Sequence, residues 1–314
     1  MTDRIASTPK ESSPGQFVGV VLLALAALLW SLNGVLIKTL TKEESAPGGV
    51  TIACFRSIVA GLFLWPLARG KWGTLASRSA SGRRMIVRPA ALGGMVLFTL
   101  MTVTFVLAMT KTETANALIL QYTSTFWIFA LSPWLLGELP RREDVRLLAI
   151  AVPGIGIIFA GNATTDVVGL TIALASGLFF ALLTMSLRHL RDSDSVVVTV
   201  FNNLGAGLLL LPFCIAAGGL MISQRAVVLL IVMGVVQFGV PYYLYSLGLS
   251  RVPAAQAALV TLLEPVLAPL WTYLVIGETV PPMTMIGGSL ILLALMMFAK
   301  NARARRLSAR EVAT

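Results

Sequence analysis

The sequence predicts an all-α integral membrane protein, with ten transmembrane helices arranged as two inverted five-helix repeats. Three observations predict this class: the composition, ten apolar windows of membrane-spanning length, and matching residues in the two halves of the chain. Of the 314 residues, 57% are hydrophobic and 12% are charged, whereas soluble domains have roughly 45–50% and 25%. This composition excludes a disordered chain and argues against a water-soluble fold.

The ten windows follow from the thickness of a bilayer. Its core needs about 20 mostly apolar residues per helix, because no water is present there to satisfy backbone groups. The predicted spans are 17–38, 49–68, 89–110, 114–136, 145–161, 167–187, 196–217, 226–248, 254–276 and 283–299. The longest connection, 69–88, is basic and rich in Ser and Gly, and it is expected to be a solvated loop.

The positions of the cations orient these spans, because Lys and Arg near membrane helices stay on the cytoplasmic side. With the N-terminus inside, nineteen of the 24 Lys and Arg residues are cytoplasmic, four are on the other side and Arg56 lies within a span. The net charge of +10 is therefore a topology signal, and it requires no nucleic-acid partner. We expect a protein of the bacterial inner membrane with cytoplasmic tails at 1–16 and 300–314, the second of them basic.

The residue inventory excludes several kinds of site. Two cysteines exclude a disulfide scaffold and a Cys-rich metal cluster. The single histidine, His189, excludes His-based zinc and di-iron sites. The chain has no phosphate-binding loop of the form G-x-x-x-x-G-K-[ST], which argues against direct use of ATP. No cofactor is expected.

Residues 17–161 and 166–299 are predicted to be repeats of one unit, because matching residues occur in the same order in both. The matches are Gly19, Trp30 and Lys38 with Gly169, Phe180 and Arg188; Phe55-Arg56, Gly61 and Pro66 with Phe201-Asn202, Gly207 and Pro212; Gly94 with Gly234; Thr114–Ala117 with Ala254–Ala257; and Gly137-Glu138 with Gly277-Glu278. Each unit has five spans, and an odd number inverts the second copy in the membrane. Inverted repeats are a recurring design of secondary transporters, whose substrate site lies near the midplane between the repeats.

Several of these residues also carry a family resemblance. The patterns are Ala115…Gly137-Glu138, its second occurrence as Ala255…Glu264-Pro265…Gly277-Glu278, the first-span opening Ala26-Ala27-Leu28-Leu29-Trp30-Ser31-Leu32-Asn33, and Phe55-Arg56. They resemble the EamA-type drug/metabolite transporter superfamily and, within it, the YddG-type exporters of aromatic amino acids. The resemblance covers about 17–300 and implies ten helices, a central cavity and transport without ATP. The halves differ where Ser124-Thr125 stands in place of Glu264-Pro265.

Two ionisable residues lie inside predicted spans, where such groups are costly and face the bundle interior or a water-filled path. Glu264 is the only mid-span carboxylate. It either binds a proton in exchange for substrate or bonds backbone groups that Pro265 and Pro269 leave free. Arg56 either binds a substrate carboxylate, which suits its planar fork of donors, or bonds backbone carbonyls of a neighbouring helix, or extends towards the membrane surface.

Polar side chains suggest where a cavity would lie. Gln121 and Ser124 share a helix face, and their repeat partners Thr261 and Glu264 have the same spacing. Both pairs either line a common cavity or bond neighbouring helices. Further candidates for the lining are Asn33, Thr102, Asn116 and Gln237.

Aromatic residues form two groups. Trp65, Trp134 and Tyr273, together with Lys38, lie near span ends and are expected to anchor the protein at the membrane surface. A deeper group either stacks on a ligand or packs between helices; its cavity candidates are Trp30, Trp127, Phe179, Tyr242 and Tyr245. As a set, these rings favour a neutral or zwitterionic, partly apolar solute.

The sequence thus predicts a secondary transporter that exports small amphipathic metabolites, aromatic amino acids in particular, across the inner membrane by alternating access. The alternatives are export or exchange of quaternary amines, sugars, other amino acids or drugs and, more distantly, an intramembrane enzyme or a channel. Enzyme chemistry is disfavoured, because the chain offers one loop histidine and one mid-span carboxylate. A proton gradient, exchange and downhill flow all remain open as the energy source. The expected partners are the solute and the bilayer, with the chain a monomer or a homodimer.

Overall fold

A computed structural model describes residues 14–42, 46–78, 85–135, 142–161, 167–190, 192–249, 251 and 260–312, and most of them are helical. The α-helices are α1 (Pro14–Ser31), α2 (Asn33–Thr41), α3 (Gly49–Ala68), α4 (Pro89–Lys111), α5 (Thr114–Tyr122), α6 (Ser124–Leu135), α7 (Arg142–Gly161), α8 (Val167–Arg188), α9 (Ser195–Ala216), α10 (Gln224–Val232), α11 (Val240–Leu249), α12 (Leu263–Ile276) and α13 (Pro282–Val312). A π-helix, Met233–Gly239, joins α10 to α11.

Every predicted span contains a helix among the described residues. Six helical stretches are long and apolar enough to cross a membrane: Gly15–Thr41, Gly49–Ala68, Pro89–Lys111, Val167–Leu187, Ser195–Ala216 and Gln224–Tyr245. Shorter apolar helices occupy Ala149–Gly161, Leu263–Ile276 and Pro282–Met297. Large apolar side chains such as Leu208, Phe213 and Val266 point outwards and are more than half exposed, as expected of surfaces that contact lipid. The protein is therefore a multi-pass membrane protein, and the count of ten crossings stays a prediction.

The helices pack in pairs that join the two halves of the chain. Helix α3 lies against α9, α4 against α8, α1 against α11 and α7 against α13. The largest buried cluster takes side chains from several of these helices, among them Ile52, Met109, Leu120 and Ile291. No single helix could bury these residues alone, so the core depends on contacts between the halves.

The pair α7–α13 shows how closely two helices approach. A Cβ built on Gly154 would lie 2.6 Å from the carbonyl oxygen of Gly287, and the reverse contact is equally tight. Glycine is required at both positions, because any side chain would force the two backbones apart.

The connection between α3 and α4 corrects the expectation of a solvated loop. It contains a 3₁₀ turn (Trp72–Leu75) and two short antiparallel strands, β1 (Ala76–Arg78) and β2 (Met85–Val87). Leu75 is buried in a cluster with Leu64 and Leu190. The segment is thus partly folded against the helix ends, because it contains apolar side chains that the basic composition obscured.

This connection also holds the start of α9. Asp194 caps the helix by accepting hydrogen bonds from the N–H groups of Val196 and Val197, and it forms a 3.0 Å ion pair with Lys71. Burial alone would raise the pKa of Asp194, but the hydrogen bonds from Lys71 and the two N–H groups lower this pKa below its ordinary value. Asp194 is therefore held in its charged form, which suits a helix N-terminus.

Helix α13 extends past the predicted span. It continues through Val312, so most of the basic segment 300–314 prolongs the last membrane helix.

Candidate functional site

Several of the polar residues predicted for a cavity lie next to interruptions of helices. Single-residue breaks occur at Leu32, between α1 and α2, at Thr123, between α5 and α6, and at Leu262, just before α12. At the first two breaks the chain forms a tighter turn, with N–H groups of Leu32 and Thr123 donating to carbonyls three residues earlier. Interrupted membrane helices are where transporters place binding sites, because the freed backbone and neighbouring side chains face a cavity.

Arg56 lies fully inside the bundle on α3, with 1% of its surface exposed. One terminal nitrogen donates to Asn33 Oδ1 at 3.2 Å, and the other donates to Thr102 Oγ1 at 2.6 Å. Its Nε has no hydrogen-bond partner in the described part of the chain. We call Arg56, Asn33 and Thr102 the Arg56 cluster. The cluster joins α2, α3 and α4 through side-chain acceptors and not through backbone carbonyls, and both of these acceptors are neutral.

Aromatic rings lie on one side of the Arg56 guanidinium. The guanidinium carbon of Arg56 lies 4.5 Å from the ring centre of Phe238. Phe238 contacts Tyr242 edge to face, with 5.1 Å between ring centres. Trp30 contacts both Tyr242 and Tyr245, at 5.2 Å and 5.3 Å. We call Trp30, Phe238, Tyr242 and Tyr245 the aromatic wall; it stabilises the buried charge through cation–π attraction and offers faces on which an apolar group can stack.

Glu264 lies in the first turn of α12, just after the helix break at Leu262. The Tyr122 hydroxyl is 2.9 Å from Glu264 Oε2 and 3.0 Å from the Thr261 carbonyl oxygen. A phenol has one proton, so Tyr122 cannot donate to both acceptors at once. Both contacts are satisfied together when Glu264 is protonated and donates to Tyr122, which then donates to Thr261. When Glu264 is charged, Tyr122 donates to the carboxylate instead.

The structure therefore brings a buried cation and four aromatic rings into one region of the bundle.

Other predicted residues take places around this region. Gln237 is 1% exposed and its Oε1 has no partner among the described residues, while Trp127 has a buried indole N–H without a partner there. Gln121 donates to the Met101 sulfur at 3.6 Å. Ser124 is buried, and Phe179 packs against the group that contains Phe238 and Tyr242.

Asn116 lies apart from these residues, in the first turn of α5. Its side chain donates to Thr112 and Glu113 and accepts a 2.5 Å hydrogen bond from Thr284. Asn116 thus links α5 to α13 at the helix ends that also hold Lys38.

Lys38 corrects the expectation of a membrane-surface anchor. Its Nζ forms a 3.0 Å ion pair with Glu278 Oε2 and donates to the Thr112 carbonyl at 2.8 Å. Glu278 Oε1 accepts a 2.7 Å hydrogen bond from the backbone N–H of Thr114, at the start of α5. We call Lys38, Glu278, Thr112 and Thr114 the Lys38–Glu278 cluster. It joins helix ends from both halves of the chain.

The residues that the sequence analysis missed as partners are Tyr122, Phe238 and Glu278. Glu278 carried a signal, because the Gly-Glu pair occurs in both halves. Tyr122 is adjacent to Gln121, but its contact with Glu264 joins residues 142 positions apart. Among the described residues, no group of three or more His, Cys, Asp or Glu side chains is placed to hold a metal ion.

Comparison with known proteins gives the family. The model of the EamA-like transporter family matches the chain twice, over residues 17–160 and 167–299. An uncharacterized transporter of Archaeoglobus fulgidus is 31% identical over 65% of this chain and 74% of its own length. The pseudopaline exporter CntI of Pseudomonas aeruginosa is 26% identical over 90% of this chain and 96% of its own length. A protein of known crystal structure has the same fold, with a TM-score of 0.60 at 19% identity over 92% of this chain and 98% of that protein.

Proposed function

The chain belongs to the EamA-like transporter family, and from this premise we propose that it is a secondary transporter that exports small amphipathic metabolites. Aromatic amino acids are the solutes proposed first. Transport is proposed to occur by alternating access across the bacterial inner membrane, with both termini in the cytoplasm. Export, as opposed to uptake, is proposed because the similar protein of Pseudomonas aeruginosa is named an exporter.

The observation that carries the proposal is the buried Arg56 beside the aromatic wall. A guanidinium removed from water normally has an acidic partner, because an unpaired buried charge is costly. Within the part of the chain that the structure describes, the side chains that accept hydrogen bonds from Arg56 are the neutral Asn33 and Thr102. A solute carboxylate would supply the missing negative charge, and a solute ring would stack on Trp30 or Tyr242.

Helix packing supports two related halves. If the repeats are exchanged, the pair α4–α8 becomes the pair α11–α1, while α3–α9 and α7–α13 each map onto themselves. All of these pairs are in contact. The twofold match to one family model points the same way. Two equivalent halves provide two equivalent routes to one site, which is what alternating access requires.

Glu264 and Tyr122 support proton coupling as the energy source. The two hydrogen-bond arrangements of Tyr122 give the protonated and the charged carboxyl each a hydrogen-bond partner. Exchange and downhill flow are the competing modes. A second candidate substrate is a quaternary amine, favoured by the Tyr122 ring next to Glu264.

Counterflow in proteoliposomes tests the proposal. Vesicles are loaded with unlabelled solute and the accumulation of trace labelled solute is followed at two pH values, for an aromatic amino acid, an aliphatic amino acid, a quaternary amine and a sugar. We expect accelerated exchange of the aromatic amino acid and none of the sugar. Counterflow of only amines or sugars would overturn the substrate assignment, and conductance without counterflow would indicate a channel.

A further inference from the structure

We propose that the Lys38–Glu278 cluster is a gate that closes one end of the solute route, and that the short helices α2 and α5 couple this gate to the buried site. With the N-terminus in the cytoplasm, as proposed above, α2 ends at the opposite face of the membrane, and the gate lies there. The inference rests on the proposed function, because a gate presupposes a transported solute.

The first step is that the helix ends at the cluster are packed against one another. Lys38 and Glu278 have side-chain exposures of 19% and 15% around their 3.0 Å ion pair. A Cβ on Gly34 would lie 2.7 Å from Thr114 Oγ1 and 3.0 Å from Thr272 Cγ2, so α2 is in direct contact with α5 and α12. A solute as large as an amino acid could pass between α2, α5 and α12 only if these helix ends separate.

The second step is the placement of Glu278, which lies just past the end of α12. Gly277 ends this helix with a positive φ of 75°, which glycine adopts without strain. The N–H groups of Gly277 and Glu278 donate to carbonyls near the end of α12. The carboxylate is therefore fixed where it binds Lys38 from α2 and the Thr114 N–H from α5 at once. Separation of either helix breaks a contact to this one charge.

The third step is that α2 carries a residue of the gate and a residue of the site. Its first residue, Asn33, accepts a 3.2 Å hydrogen bond from Arg56. Lys38 lies five positions later, about 7.5 Å along the helix axis. The break at Leu32 lets α2 pivot without α1, because hinge motions are absorbed at the ends of helices.

Solute binding would act on this hinge through Arg56. A charged carboxylate is a stronger acceptor than the neutral amide of Asn33. A solute carboxylate that takes the Arg56 donors therefore releases Asn33. The inner end of α2 is then free, and the closed position of Lys38 loses one of its supports.

The fourth step is that α5 makes the same kind of connection. It begins at Thr114, whose N–H donates to Glu278 at 2.7 Å, and ends at Tyr122, whose hydroxyl lies 2.9 Å from Glu264 Oε2. The break at Thr123 separates α5 from α6. The two contacts are about 12 Å apart along one helix. Both buried ionisable residues are thus joined to one gate.

A covalent bridge tests the gate. Cys54 and Cys214 are replaced by alanine, and Lys38→Cys and Glu278→Cys are joined by a bifunctional methanethiosulfonate, which a reductant removes. We expect counterflow of L-phenylalanine to stop in the bridged protein and to return after reduction, while binding of L-phenylalanine in detergent is retained. The control is a monofunctional methanethiosulfonate, which modifies the same two cysteines without joining them and should leave counterflow running.

Hydrogen–deuterium exchange of the backbone amides tests the coupling. In the wild-type protein, we expect L-phenylalanine to speed exchange in α2 and at the start of α5 about tenfold, as for the loss of one hydrogen bond to a charged group. Asn33→Ala should speed this exchange without the solute and remove the response to it. Thr102→Ala is the matched variant, because it removes the other hydrogen bond of Arg56, from the unbroken helix α4. It should weaken binding as much as Asn33→Ala does and retain the response.

Elution as a single species in detergent verifies that each variant is folded. The inference is overturned if the bridged protein exchanges L-phenylalanine as fast as the singly modified control. It is also overturned if the solute leaves amide exchange unchanged or slows it in the wild type, or if Asn33→Ala and Thr102→Ala respond alike. If another solute is transported in place of L-phenylalanine, only the substrate assignment fails, and the bridge is tested with that solute. Absence of counterflow for every solute in the wild type overturns the proposed function and the gate together.

Discussion

Replacing Glu278 by Gln is expected to open the Lys38–Glu278 cluster. The change removes the charge and keeps the shape of the side chain. In the folded protein Glu278 Oε2 lies 3.0 Å from Lys38 Nζ, with side-chain exposures of 15% and 19%. Its Oε1 accepts from the Thr114 N–H at 2.7 Å. The variant thus loses an ion pair and weakens one hydrogen bond.

The size of the effect follows from these contacts. A shielded but partly solvated ion pair contributes about 1 kcal/mol. Hydrogen bonds to a charged acceptor exceed those to a neutral one by about 1 kcal/mol. A loss of about 2 kcal/mol changes the equilibrium between the closed and open helix ends about thirtyfold.

Labelling of a single cysteine measures this equilibrium. The native Cys54 and Cys214 are both buried and are replaced by alanine, and Ile37→Cys then places a thiol in the buried interior beside Lys38. We expect a membrane-impermeant thiol reagent to label this cysteine up to about thirtyfold faster when Glu278→Gln is added.

The control is Glu113→Gln, because Glu113 accepts from Asn116 in the same region but forms no ion pair with Lys38. The exchange Lys38→Glu with Glu278→Lys should return the labelling rate towards its original value. An unchanged rate in Glu278→Gln, or an equal increase in Glu113→Gln, would refute the reasoning.

Three further predictions follow from other contacts. Glu264→Gln should abolish the dependence of counterflow on pH, and an unchanged pH profile would exclude this carboxyl as the proton-coupling group. Gly287→Val should lower the thermal unfolding temperature through overpacking of about 1–3 kcal/mol, whereas Gly156→Ala, where nothing lies within 4 Å of the added Cβ, should not. Asp194 has a lowered pKa, so its stabilising effect is present above the ordinary carboxyl pKa and is lost as pH falls through the folded-state value. Asp194→Asn should therefore lower the unfolding temperature at neutral pH and have no effect at strongly acidic pH; an equal effect at both would contradict the charge argument.

The positions of the helices could be predicted because the hydrocarbon core constrains the backbone of every membrane-spanning segment in the same way. Where no water is available, the backbone must form helices, and windows of apolar residues therefore locate them. A helix lies in each predicted window within the described residues. Arg56, Asn33 and Thr102 were chosen on the same physical ground, as polar groups inside apolar segments, and the structure brings these three together.

What could not be predicted depends on contacts between distant residues. Lys38 and Glu278 are 240 positions apart, and neither has a local feature that identifies the other. The helix break at Leu32 directly precedes Asn33-Gly34, a pair typical of turns that the apolar window concealed. Hydrophobic residues in the loop 69–88 were overlooked because its charge dominated the composition.

The π-helix Met233–Gly239 lies within the eighth predicted span, and the orientation of α11 depends on the number of residues in this π-helix. It has a wider turn than the flanking α-helices and so accommodates an extra residue. If the segment closed into an α-helix with every residue retained, α11 would rotate by about 100° relative to α10. Tyr242 and Tyr245 would then turn away from Trp30. The wider turn therefore lets a span with one extra residue keep these two tyrosines on the side of the site.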